Sequence, residues 1–108
     1  MAFTHLHVHS HYSLLDGLPK IPDLVKFAKA QGFNALALTD HGAMHGIIEF
    51  YKTALAESLK PILGVETYVA PRALTDKQAR LDDKSSHLVL LARNLTGYQN
   101  LLKLITVA

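Results

Sequence analysis

Phe3-Thr4-His5-Leu6-His7-Val8-His9 alternates strictly in polarity, and its reading governs the rest of the chain. In an extended strand successive side chains point to opposite faces, which puts Leu6 and Val8 on one side and His5, His7 and His9 on the other. Residues two apart on one face are separated by roughly 6.6–6.8 Å, so His7 and His9 aim both imidazoles into one pocket. A single histidine there is more often a wet strand face than a ligand. Four at alternate positions, with His11 continuing the series, point to a metal clamp. One site cannot use them all, and His5 and His11 are read as strand-edge or supporting residues.

Working outward, Pro22 and Asp23 suit a first helical turn. Ile21, Leu24, Val25 and Ala28 then follow helical spacing and Gly32 is a natural C-terminal cap, predicting a helix over about 22–31. The apolar run from Ala35 to Thr39 reads as a strand buried on both faces. Met44, Ile47, Ile48, Tyr51, Leu55 and Leu59 fall on one helical stripe. Pro61 marks the boundary before a third strand, Ile62 to Val69, which Pro71 ends. Residues 71–86 are polar and aperiodic, a surface loop. His87 to Ala92 is a fourth strand, and Thr96-Gly97-Tyr98-Gln99 matches a capping box opening a helix with Leu101, Leu102 and Ile105 inward. Strand, helix, strand, helix, strand, loop, strand, helix calls for parallel strands joined by right-handed crossovers. Pattern alone leaves barrel and open sheet both available; polar residues at or just after strands favour the barrel, whose active sites gather there.

Composition narrows the chemistry. The 108 residues are 49% hydrophobic and 19% charged, an ordinary globular balance with enough length for one core. No apolar run approaches the roughly 20 residues needed to cross a bilayer, and the N-terminus lacks the layout of a secretory signal, so a cytoplasmic location is expected. The formal charge of +2 and pI near 9.0 are only weakly basic, and the cations form no stripe, so composition makes no case for nucleic-acid binding. Cysteine is absent, which leaves imidazole and carboxylate as the only strong metal ligands among seven histidines and nine acids.

Asp40-His41-Gly42 closes a buried strand, with Gly42 permitting a sharp turn. His41 is a candidate ligand there; Asp40 either orients an imidazole from behind or caps the following helix. Glu66 interrupts an apolar strand, where a carboxylate is costly unless paired or metal-bound, and it suits a bridge between two metals. His87 and Asp16 are weaker by themselves, Asp16 reading as a turn-former before Gly17. His45 is expected in a first helical turn, exposed. Zinc takes such a donor set readily, and manganese or iron accepts the same one.

His5-Leu-His-Val-His-Ser-His-Tyr-Ser-Leu-Leu-Asp-Gly17, Leu38-Thr-Asp-His-Gly42, Lys60-Pro-Ile-Leu-Gly-Val-Glu66 and Thr96-Gly-Tyr-Gln-Asn-Leu101 together resemble the PHP (polymerase and histidinol phosphatase) family. The branch they resemble is the one at the N-terminus of bacterial replicative DNA polymerase III alpha subunits. The likeness implies that His7, His9, Asp16, His41, Glu66 and His87 are metal ligands, and it alone raises Asp16 and His87 above their separate readings. It implies an α/β fold, about the first half of a seven-stranded, distorted TIM-like (β/α) barrel. It further implies up to three divalent ions, phosphodiester hydrolysis of the 3′–5′ proofreading kind by metal-activated water, and DNA and other replicase subunits as partners. The Asp-x-His motif expected to complete such a centre is not within the 108 residues, and residues 1–108 are expected to be a truncated domain with little hydrolysis alone. Two other readings stand beside this one: a stand-alone PHP phosphatase, and a non-catalytic platform docking a proofreading subunit.

Overall fold

The computed structural model describes residues 3–108. Three helices and three strands alternate as α1 (Ile21–Ala30), β1 (Ala35–Leu38), α2 (Ile47–Ala56), β2 (Lys60–Val69), β3 (Ser86–Leu91) and α3 (Leu95–Val107). β1, β2 and β3 lie side by side in that order.

α1 begins with Pro22 in its first turn and ends as Gly32 suggested. The Gly32 N–H donates to Lys29 O and the Phe33 N–H to Ala28 O, both at 3.0 Å, the paired bonds that close a helix C-terminus. β1 is buried on both faces, with Leu36, Ala37 and Leu38 at most 2% exposed. Leu36 and Leu38 pack into a core with Ile21, Val25 and Ala28 of α1, Ile47, Phe50 and Ala54 of α2, and Leu59. Odd-numbered Leu63 and Val65 of β2 face toward α2, so even-numbered Gly64, Glu66 and Tyr68 share the opposite face.

Several expectations need correction. The segment 3–9 is extended but forms no regular strand. Ala37 N–H donates to His5 O and Thr39 N–H to Val8 O, so three steps along the first segment match two along β1. The extra residue breaks the ladder, and the Val8 N–H donates to the Thr39 hydroxyl (2.9 Å) in place of a carbonyl. On α2 the buried stripe is Ile47, Phe50 and Ala54, while Ile48, Tyr51 and Leu55 are about half exposed, because two adjoining apolar stripes both satisfy helical spacing. His45 accordingly precedes the helix. Pro61 lies inside β2, one residue after its start. Lys60 N–H donates toward β1 at Asn34 O, so by alternation position 61 faces away from β1, where β3 has not yet begun to pair and no donor is needed.

β3 runs antiparallel to β2, pairing Gly64 with Leu91 through Val69 with Ser86. The connection 70–85 contains no helix, and without a crossover element the chain returns alongside the strand it has just left. Finally, α3 is capped by Asn94, whose Oδ1 accepts from Gly97 N–H at 3.0 Å, two residues before the expected box. Leu101 is buried against the sheet and Ile105 half-buried, but Leu102 is 40% exposed.

The corrected stripe gives a direct test. Phe50→Ala, which empties a wholly buried site, is expected to cost about 3–5 kcal/mol in urea unfolding. Leu55→Ala, on the stripe that periodicity equally favours, is expected to cost under about 1 kcal/mol. Equal losses would return the buried face to Ile48, Tyr51 and Leu55.

Candidate metal centre

Backbone pairing past the end of β1 builds the site. The Glu66 N–H donates to Asp40 O (3.1 Å) and the Gly42 N–H to Glu66 O (2.8 Å), so His41 is bridged to Glu66 in parallel register. Gly42 then turns away at φ +63°, a conformation that any side chain would strain. From the other edge of β2, antiparallel pairing sets His87 opposite Tyr68, beside Glu66. The first segment supplies His7 and His9 from next to β1.

Six side chains meet there. His7 Nε2 and His9 Nε2 lie 2.8 and 2.6 Å from Glu66 Oε2, and His87 Nδ1 contacts Glu66 Oε1. Asp16 Oδ2 lies 3.2 Å from His9 Nδ1 and 3.0 Å from His41 Nδ1. They form three overlapping trios, each with one donor atom per residue within 4.8 Å of the others: His7, His9 and Glu66; His9, Asp16 and His41; His41, Glu66 and His87. Glu66 is 3% exposed. Burial pushes its carboxyl up, but the bonds and charges of His7 and His9 outweigh that and bring it from the ordinary 4.5 to about 2. The bond to His41, and then His9, holds Asp16 below its usual range.

The donor set suits cations. Every imidazole nitrogen that faces a carboxylate must carry a proton or give its place to a metal, and His9 faces carboxylates on both nitrogens. His41 Nε2 is buried and, among the described residues, has no hydrogen-bond partner, an unsatisfied polar atom within the cluster. Asp16 Oδ2 meets both rings on their Nδ1 side, tying His9 and His41 to one carboxylate.

Asp40 neither caps α2 nor touches an imidazole. Its Oδ1 accepts from Ser10 N–H (2.6 Å) and the Ser13 hydroxyl (2.8 Å), and its Oδ2 accepts from the Ser10 hydroxyl (2.8 Å). Ser13 Oγ in turn accepts from the His41 N–H at 3.0 Å. This buried knot ties the turn between His9 and Asp16 to the end of β1. Gly17 closes the turn so tightly that a Cβ there would sit 1.8 Å from Ser10 O. Ser10 and Ser13 carried no signal in the sequence beyond their spacing around the histidines.

The remaining histidines lie elsewhere. His5 lies between the rings of Phe3 and Phe33, edge-on to the first, and His11 lies against Tyr12. Two further residues, Arg72 and Tyr68, are not among those expected to matter. Arg72 forms a forked pair with Asp82 (Nε to Oδ1 2.8 Å, Nη2 to Oδ2 2.6 Å) that clasps the 71–86 loop, while the Gln78 N–H donates to the same Asp82. Tyr68 lies two residues beyond Glu66 on the same strand face, a period that could have flagged it. Its ring centroid is 4.9 Å from those of both His41 and His87.

Residues 5–108 match the family model of the PHP domain. The chain is 50% identical to a DNA polymerase III subunit alpha of Borreliella burgdorferi over 107 residues and 50% identical to one of Treponema pallidum over 105. It is 48% identical to one of Thermus aquaticus over 108, covering 98%, 96% and 96% of this chain respectively. It spans only 9% of the length of each of these relatives. Among solved structures, it resembles an amidohydrolase from Chromobacterium violaceum that holds sulfate and no metal, at TM-score 0.64 and 26% identity over 94% of this chain and 33% of the other. A presumed metal-dependent phosphoesterase from Bifidobacterium adolescentis shares the fold at TM-score 0.62 and 20% identity, over 95% of this chain and 33% of that one. With the model matched from the first histidine of the alternating run to the last residue, the chain belongs to the PHP domain family.

Proposed function

We propose that residues 1–108 are the N-terminal portion of a PHP domain in a bacterial replicative DNA polymerase, and that the cluster around Glu66 holds divalent metals for phosphodiester hydrolysis at a DNA 3′ end. The observation that carries this reading is the convergence of three imidazoles on one buried carboxylate, with His41 and Asp16 adjoining. The name shared by relatives about 50% identical supports the polymerase over a stand-alone phosphatase. Intact side chains at all six positions favour a metal-holding site over a purely structural platform.

In this reading His7, His9, Asp16, His41, Glu66 and His87 are the ligands, and zinc fits the imidazole-rich set best, with manganese or iron accepting it too. Completed by the rest of a seven-stranded barrel, the site takes up to three ions. Bound there, they supply Lewis-acid polarisation of the phosphodiester and a nucleophile from water at neutral pH. The protein's part is placement. Asp16 Oδ2 ties the Nδ1 sides of His9 and His41 to one carboxylate, and the Asp40–Ser10–Ser13 knot steadies the turn that carries Asp16. DNA is the substrate, other replicase subunits are the partners, and the parent protein works in the bacterial cytoplasm.

Zinc titrated calorimetrically into the chain is expected to bind, with His9→Ala and Glu66→Gln each weakening uptake by about 100-fold or more, beyond what loss of a mere supporting residue costs. Equal metal content in all three proteins would remove the assignment. In the polymerase that carries this segment, the same substitutions are expected to abolish metal-dependent 3′-end hydrolysis while leaving nucleotide incorporation.

A pH dependence follows for the metal-free chain. Glu66 titrates near 2, below its unfolded 4.5, so its ionised form adds stability that is complete above about 4.5 and disappears as the pH falls toward 2. The stability advantage over Glu66→Gln in urea titrations is therefore expected to shrink from neutral pH to about 2. An advantage that stays constant or grows on acidification would contradict the assigned ionisation.

A further inference from the structure

Beside the cluster opens a cleft of about 410 Å³ lined by His41 and Asp16 together with Tyr12, Leu14, Leu15 and Tyr68. Its walls are unusually apolar for solvent-facing residues. Leu14 and Leu15 are 89% and 101% exposed, and Tyr68 is 55% exposed. Large apolar side chains left in water beside a histidine–carboxylate cluster mark a place where something apolar is received. The Tyr68 ring meets the His87 ring nearly perpendicularly (86°) and the His41 ring at 33°, contacts that fix its plane while leaving surface open.

Two chemistries thus sit side by side, a cluster fitted for cations and an aromatic-aliphatic wall. A nucleotide has the matching pair, an anionic phosphate and a flat base separated by one sugar. We propose that this cleft receives the base of the terminal nucleotide whose 5′-phosphate lies at the cluster, with Tyr68 stacking on it and Leu14 and Leu15 flanking it. The inference rests on the cluster being a phosphodiester site and adds where substrate selection comes from. Stacking tolerates all four bases, because each presents a π-face. It discriminates instead between a nucleotide and a bare sugar phosphate.

The test uses the zinc-loaded chain and calorimetric titration with dAMP, deoxyribose 5-phosphate and inorganic phosphate. dAMP is expected to bind about 5- to 100-fold more tightly than deoxyribose 5-phosphate, the advantage one stacked base provides. Tyr68→Ala is expected to erase that excess while Tyr68→Phe, which keeps the ring, preserves it. Should Tyr68→Ala disturb the neighbouring imidazoles, Leu15→Ser reads the same wall from a side chain with no packing to lose and is expected to reduce the excess. Equal affinity for dAMP and deoxyribose 5-phosphate would overturn the base site and leave the metal site standing, the leucines then meeting protein rather than a base. An excess undiminished in both Tyr68→Ala and Leu15→Ser would overturn it as well. If zinc binds but none of the three phosphates does, the phosphodiester reading itself fails and takes the base site with it.

Discussion

A buried carboxylate must be compensated, and Glu66 sets that demand toward the C-terminal end of β2. Left alone in an apolar strand, its charge would cost far more than a domain of this size can spare. The compensation comes from distant chain: His7 and His9 lie 59 and 57 residues away, and His87 arrives from β3. Meeting that one demand therefore fixes the first segment, β2 and β3 relative to one another. Site geometry and topology are the same constraint seen from two sides.

A second buried carboxylate does the complementary work. Asp40 has no imidazole partner; three hydrogen bonds from Ser10 and Ser13 absorb its charge, and Ser13 passes the connection on to the His41 backbone. The Tyr12 hydroxyl donates to Glu49 at 2.8 Å, so the same turn is also moored to α2. Glu66 gathers the groups that face the cluster, while Asp40 holds the loop on which Asp16 is carried. The Arg72–Asp82 clasp plays a comparable part for the loop that leads into His87, with Arg72 holding the Asp82 carboxyl below its usual range.

What could be read in advance follows from which features are local. The closure of α1 at Gly32, the doubly buried β1 and the alternating histidines are encoded within a few residues, and each is visible as such. Alternation carries no strand direction, however, so nothing in Ser86–Leu91 reveals that β3 runs against β2. Nor does helical period choose between Ile47–Phe50–Ala54 and the neighbouring Ile48–Tyr51–Leu55, since both stripes are apolar and only the tertiary partner decides. The extra residue between His5 and Val8 is equally silent, because it is a mismatch of hydrogen bonds with β1 rather than a property of either segment. Asp40 looks like a helix cap in any linear reading. Its true partners are serines 30 and 27 residues back, and polar knots of that kind have no period to detect.

The cluster has a built-in conflict that a cation resolves. Without one, His7 Nε2, His9 Nε2 and His87 Nδ1 can each meet Glu66 only as N–H donors, so one carboxylate takes three N–H groups while His41 Nε2 has no partner among the described residues. A metal in place of those protons would let the rings donate lone pairs and would give His41 Nε2 a partner. Because these side chains converge only in the folded chain, any cation bound there would add its binding free energy to stability. In the proposed reading, ions bound for the chemistry would also hold together segments separated by most of the sequence.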